Sequence, residues 1–238
     1  MSDEPIPAGP PPVAGRPVRA VLLDLDGVLV DSIAVAREAF AHAYAEVVGA
    51  GAAPVDEYCR YPGHHLPEVL RMMGLPAAMA EPFVRESHRL AHRVSPVPGV
   101  PSILDALRRR GARLAVVTGR SGVRARTLLA GLGLLGGFDQ VIGADEVARP
   151  KPAPDIVLRA LSLLRVDPAE AVLVGDAVSD IASARGAGVT AAAALWGESD
   201  RDTLLAAEPD VVLTSPVDIL GLCPAGTADD TRADAHRR

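Results

Sequence analysis

The chain is short of lysine, of cysteine, of long apolar runs and of positive charge, and each shortage excludes something. Of its 24 basic residues only Lys151 is a lysine, so every other permanent cation is an arginine. The two cysteines, Cys59 and Cys223, lie far apart without CxxC spacing. This argues against a structural zinc site, reads them as ordinary thiols, and suits a reducing, cytoplasmic compartment. No apolar run reaches membrane-spanning length, which gives no membrane partner. A net charge of −6 with scattered basic residues leaves no electrostatic footprint for nucleic acid. The opening stretch MSDEPIPAGPPPVAGRP is Pro-rich and acidic rather than a charged-then-apolar leader, and residues 1–17 are expected to form a disordered tail. The polar stretch 223–238 is expected to be another.

What is present suffices for a sizeable interior: 238 residues, 49% of them hydrophobic. Six short apolar runs recur, VRAVLLDLD, RLAVVTGR, DQVIGAD, AVLVGDA, TAAAALWG and DVVLTS. After the first they alternate with helical patterns such as VPSILDALRRRG and PDIVLRALSLL. That alternation predicts an α/β fold, a Rossmann-like doubly wound parallel sheet with helices on both faces. The rhythm breaks once. Between residues 33 and 95 no strand-like run occurs, and apolar residues recur at helical spacing, among them Ile33, Ala36, Phe40, Tyr44 and Val47. The expected organisation is therefore a core at 18–32 and 96–222 with an inserted helical cap domain at 33–95, and VSPVPGVP as the return hinge.

The stretch LDLDGVLVDS ends the first run with two acids, Asp24 and Asp26, two residues apart. On a strand such positions share a face, and like charges that close repel unless a cation lies between them. The pair reads either as an acidic turn or as half of a metal site. In open α/β sheets ligands bind beyond the carboxyl ends of the strands, so polar residues after each run belong together. They are Asp24 and Asp26, then Thr118 and Gly119 in VVTGR, Lys151 in RPKPAPD, and Asp176 and Asp180 in VLVGDAVSD. Clustered aspartates suit a hard, oxygen-liganded cation such as Mg²⁺. Lys151, the single exception to arginine, reads as a compact point charge a guanidinium would not replace. Asp180 could instead cap the helix that follows it.

These four segments, in this order, resemble the haloacid dehalogenase-like superfamily of phosphohydrolases over about residues 18 to 215. The resemblance implies that Asp24 is a nucleophile phosphorylated during turnover and that Asp26 protonates the leaving group and then activates water. It implies that Thr118, Gly119 and Lys151 hold the phosphoryl group, and that Asp24, Asp26, Asp176 and Asp180 form a Mg²⁺ site. The acid at Asp26 separates the chain from the dehalogenases of that superfamily. The helical insertion resembles the cap of the branch containing phosphoglycolate phosphatases and β-phosphoglucomutases. Mutases of that branch usually carry a histidine where this chain has Ala36, which favours hydrolysis.

YPGHHLPEVLRMMGLP and AALWGE are similar to phosphatases associated with 3-amino-5-hydroxybenzoate synthesis. That similarity implies a small phosphorylated metabolite as partner, such as a phosphorylated amino sugar of antibiotic biosynthesis. The alternatives are a phosphoglycolate phosphatase, a mutase, or a non-catalytic pathway partner. His64 and His65, in the presumed cap loop, are candidates for reading the substrate, with solvent-facing loop residues as the alternative. Arg60 and Arg71 carry the same ambiguity, and nothing in the sequence specifies an oligomeric state.

Overall fold

The computed structural model describes residues 17–49 and 51–223, so the expected tails lie, apart from Pro17 and Cys223, outside the described residues. The strands are β1 (Ala20–Leu23), β2 (Val30–Asp31), β3 (Ser95–Pro96), β4 (Arg113–Thr118), β5 (Gln140–Gly143), β6 (Ala171–Gly175), β7 (Thr190–Ala194) and β8 (Val211–Leu213). The helices are α1 (Ile33–Val47), α2 (Val55–Tyr58), α3 (Leu66–Met72), α4 (Ala80–Arg89), α5 (Val100–Arg109), α6 (Gly122–Gly131), α7 (Asp155–Leu164), α8 (Val178–Ala187), α9 (Arg201–Ala206) and α10 (Ile219–Leu222).

Six strands form one sheet in the order β5-β4-β1-β6-β7-β8, each neighbour parallel, and they are the six apolar runs of the sequence. Continuous runs rather than alternating ones result because both faces are covered. Val21, Leu23, Leu114, Val116, Val172 and Val174 pack on one face with α5 and α6. Ala20, Leu22, Ala115, Val117 and Leu173 pack on the other with α7 and α8. Ordered packing continues through Cys223, which the sequence placed in a tail: its side chain is buried, and Arg110 Nη1 donates to its carbonyl at 2.8 Å.

Every helix between Ile33 and Arg93 belongs to the insert, which has its own small core of Ala39, Phe40, Ala43, Leu70, Met79 and Phe83. The alanine-rich α1 is a good intrinsic helix former. It buries Val35, Ala39, Phe40 and Ala43, and Tyr44 and Val47 of the predicted stripe pack partly buried against the same core. Ile33 and Ala36 instead border a cavity between insert and sheet. The two crossings between insert and sheet pair antiparallel as β2 and β3, with Val30 opposite Pro96 and Asp31 opposite Ser95.

Phe40 stacks on Tyr58 at 4.4 Å between ring centroids and is fully buried. Phe40→Ala is therefore expected to cost about 3–5 kcal/mol of stability, read by urea denaturation. A loss under about 1 kcal/mol would mean that the insert collapses freely around the missing ring.

Candidate active site

Three neighbouring parallel strands deliver polar side chains to one edge of the sheet. Asp24 follows β1 directly, its N–H continuing the ladder to Val174 O at 2.9 Å. Asp176 follows β6, and Thr118 ends β4. Because β1 lies between the other two, all three emerge side by side beyond the carboxyl ends. Lys151 comes from the segment after β5, and Asp180 from the first turn of α8.

Carboxylate oxygens of Asp24, Asp176 and Asp180 lie within 4.8 Å of one another, all buried. The single lysine is not on the surface but 1% exposed among them. Its Nζ donates to Asp180 Oδ1 at 2.5 Å and stands 3.1 Å from Asp24 Oδ1. Asp180 also does what the capping alternative required, accepting from Ala177 N at 3.1 Å through its second oxygen. Asp24 Oδ1 accepts from Leu25 N at 2.7 Å, and Asp176 Oδ2 from Glu198 N at 2.6 Å.

One ammonium against three carboxylates leaves two negative charges uncompensated. Burial, opposed by Lys151, pushes the Asp24 carboxyl up to about 7. Burial, reinforced by Asp24 and Asp180, raises Asp176 well above the carboxylate range. The donor set is all carboxylate oxygen, and the missing charge is that of a divalent cation, so these residues fit a hard divalent metal.

Asp26 stands apart from this group, where the sequence expected a fourth clustered aspartate. The strand stops at Leu23 and the chain turns: Leu29 N donates to Leu25 O, and Gly27 takes a φ of +78°. The two-residue alternation that would have aimed Asp24 and Asp26 together therefore ends before Asp26. Its carboxylate is instead held by Arg120, at 2.6 Å from Nε and 2.5 Å from Nη2, and by the Ser32 hydroxyl. Burial opposes ionisation there, but Arg120 and Ser32 outweigh it and keep the carboxyl below its usual range.

A cavity of about 90 Å³ opens over Asp24 and Asp26. Thr118, Gly119, His64, Arg120, Arg124 and Glu198 are among its lining residues. Thr118 Oγ1 accepts from Arg120 N at 3.2 Å. Gly119 carries no side chain for a spatial reason, because a Cβ there would collide with the carbonyls of Gly63 and His64. The two histidines part company: His64 lines the cavity, while His65 Nδ1 lies 3.0 Å from Gly119 O, joining insert to sheet. Arg60 and Arg71 are exposed and do not line the cavity. Arg120, Arg124 and Glu198 were not singled out in the sequence. The available signals were the position of Arg120 directly after Thr118-Gly119 and the acid ending ALWGE.

Residues 21–194 match the family described as haloacid dehalogenase-like hydrolases. A phosphoglycolate phosphatase of Aquifex aeolicus is 33% identical over 213 residues, covering 86% of this chain and 96% of the relative. The pyrophosphatase PpaX of Bacillus velezensis is 33% identical over 222 residues, covering 85% and 95%. Among solved structures, a hydrolase from Pseudomonas syringae superposes with a TM-score of 0.76 at 25% identity, covering 85% of this chain and 96% of that one.

The electrostatics of the cluster set a pH dependence. Asp24 titrates near 7 when folded against 3.8 ordinarily, so between those values the folded state binds more protons than the unfolded one. Stability therefore falls as pH rises through that window. In EDTA the thermal midpoint is expected to drop as pH rises from about 4 to about 7, and a midpoint that rises across this interval would contradict the assignment.

Proposed function

We propose, from the premise that the chain belongs to the haloacid dehalogenase-like hydrolases and is a phosphatase, that it hydrolyses a small phosphorylated metabolite through a phosphoaspartyl intermediate on Asp24, with Mg²⁺. The observation that carries this reading is the buried Asp24 carboxylate, paired with Lys151, grouped with Asp176 and Asp180, and bordering the cavity. Mg²⁺, held by Asp24, Asp176 and Asp180 when bound, offsets the repulsion between an attacking carboxylate and a phosphate dianion.

An Asp24 oxygen attacks phosphorus as the bond from phosphorus to the leaving oxygen breaks. Asp26 gives that oxygen a proton. In the second half, Asp26 takes a proton from water, which attacks and frees phosphate from Asp24. Arg120 holds Asp26 in the ionised form needed for the second half. Proton donation in the first half then requires Asp26 to take up a proton from solvent as the substrate draws Arg120 away. Thr118 Oγ1 already accepts from Arg120 N, which leaves its hydroxyl proton for a phosphoryl oxygen. Lys151 acts from beneath the cavity, keeping Asp24 in place and offsetting its charge.

The insert serves as a cap, closing the cavity through the loop around His64 and His65 and excluding water. A cavity of about 90 Å³ suits a small metabolite. Ala36, at the position where mutases carry a histidine, borders that cavity and offers no proton-transfer group, which supports hydrolysis. The substrates in the relatives' names, phosphoglycolate and pyrophosphate, are the leading class. A phosphorylated amino sugar of antibiotic biosynthesis is the second reading, with Glu198 as a lining carboxylate available to an ammonium. The free thiols of Cys59 and Cys223 suit action in the cytoplasm.

Asp24→Asn, nearly isosteric but a poor nucleophile, is expected to remove turnover of p-nitrophenyl phosphate while the circular dichroism spectrum is unchanged. More than a few per cent of the wild-type rate would reassign the nucleophile. Chelation should abolish wild-type turnover and Mg²⁺ restore it. At about a hundredfold over its Kd, Mg²⁺ should add roughly 2.7 kcal/mol of stability, or about 5–10 °C in Tm. Full activity in metal-free protein, verified by elemental analysis, would overturn the metal assignment.

A further inference from the structure

We propose that the substrate's leaving group carries a second negative charge, and that Arg124 receives it on the cavity wall beside Arg120. The inference rests on the phosphatase reading and deepens it to a substrate class. Both guanidiniums border the cavity that Asp24 opens into, but their situations differ. Arg120 is fully engaged, its fork closed on the carboxylate of Asp26. Arg124 forms no ion pair among the described residues. Its partners are neutral: the Ser87 hydroxyl, to which Nη2 donates at 2.7 Å, and the face of Phe83, 5.6 Å from its guanidinium carbon.

A half-buried cation beside another cation, touching only a hydroxyl and a ring and sharing the one nearby carboxylate, Asp26, with an Arg120 already closed on it, is electrostatically incomplete. Burial, and after it the neighbouring charge of Arg120, outweighs the support of Asp26 and pulls the Arg124 guanidinium down to about 10, so it remains charged at neutral pH with no carboxylate in contact. Desolvated charge is costly unless paired, and a planar fork matches carboxylate and phosphate oxygens in two-point geometry. The anion that completes Arg124 cannot be the scissile phosphoryl group if that group sits on Asp24 and the strand-end amides. It belongs instead to the leaving group, and the size of the cavity keeps it a few bonds from phosphorus.

Arg124 projects from α6 beside the sheet, and Ser87 and Phe83 lie on α4 of the insert. An anion on Arg124 therefore sits where insert and sheet meet, so binding it also favours closure over the site. The class is a phosphate ester of a small hydroxy acid, or a phosphoanhydride whose leaving group is itself a phosphate.

The test compares kcat/KM of the full-length protein with Mg²⁺ for phosphoglycolate, pyrophosphate and 2-hydroxyethyl phosphate, the last a neutral counterpart of the first. The wild type is expected to prefer an anionic substrate to the neutral one by about tenfold or more, and the preferred arm says whether the second anion is a carboxylate or a phosphate. Arg124→Gln should lower that ratio by about tenfold to a hundredfold, chiefly through KM. Arg124→Lys, which keeps the charge without the fork, should retain part of it. A wild-type ratio near one for both anionic substrates, or a ratio unchanged in the variants, overturns the inference and leaves the phosphatase reading standing. Absence of metal-dependent turnover on all three substrates and on p-nitrophenyl phosphate overturns the phosphatase reading itself.

Discussion

The burial of Asp24 beside two further carboxylates is the constraint around which the sheet edge is organised. Three acids whose oxygens fall within 4.8 Å in a desolvated site repel strongly, and the fold supplies one ammonium, from a lysine drawn wholly into the interior. Arginine, used for every other permanent cation, presents a broad planar fork unsuited to a point contact with both Asp180 Oδ1 and Asp24 Oδ1. The backbone gives way to the same cluster. A Cβ at Gly27 would run into the Asp176 carboxylate, and the positive φ there lets the chain turn immediately after delivering Asp24.

The candidate site and the wall over it are built by different parts of the chain. Asp24, Thr118, Lys151, Asp176 and Asp180 all come from the sheet and the segments following its strands, while the insert contributes Tyr58, His64 and Phe83 to the cavity wall. The two parts join covalently only through β2 and β3, two residues each, and meet again where His65 reaches Gly119 O. Val35, Leu90 and Val94 of the insert also pack in the buried cluster on one face of the sheet, and the contacts at Gly119 and between Arg124 and Ser87 lie at the site itself.

The fold was legible because strands covered on both faces must read as unbroken apolar runs, and six such runs became six neighbours. The β2–β3 pair was not, since two-residue strands carry no periodicity. The apolar stripe of α1 serves two surfaces, with Phe40, Tyr44 and Val47 on the insert's core and Ile33 and Ala36 on the cavity. At the site, residues directly after strand ends could be gathered from their order alone. Asp24 and Asp26 border one cavity as the spacing suggested, but Asp26 is held by Arg120 outside the carboxylate cluster, because the alternation ends where the strand turns. Arg120, Arg124 and Glu198 act through contacts between segments remote in sequence, such as Ser32 with Glu198, and an arginine on a helix gives no local sign of which surface it will meet.

The resulting cavity is electrically divided. Its floor is an excess of carboxylate that calls for a divalent cation, and its wall is a pair of guanidiniums of which only one is balanced. A neutral ligand satisfies neither side, and a singly anionic phosphate ester satisfies only the floor. Charge balance across the whole cavity is reached when negative charge is present at both ends of the ligand. The Arg120–Asp26 pair borders the same cavity. Under the proposed assignments, an anion received by Arg124 offsets positive charge that also acts on Asp26, and so eases protonation of that carboxylate. On those assignments, substrate selection and protonation of Asp26 are one electrostatic event.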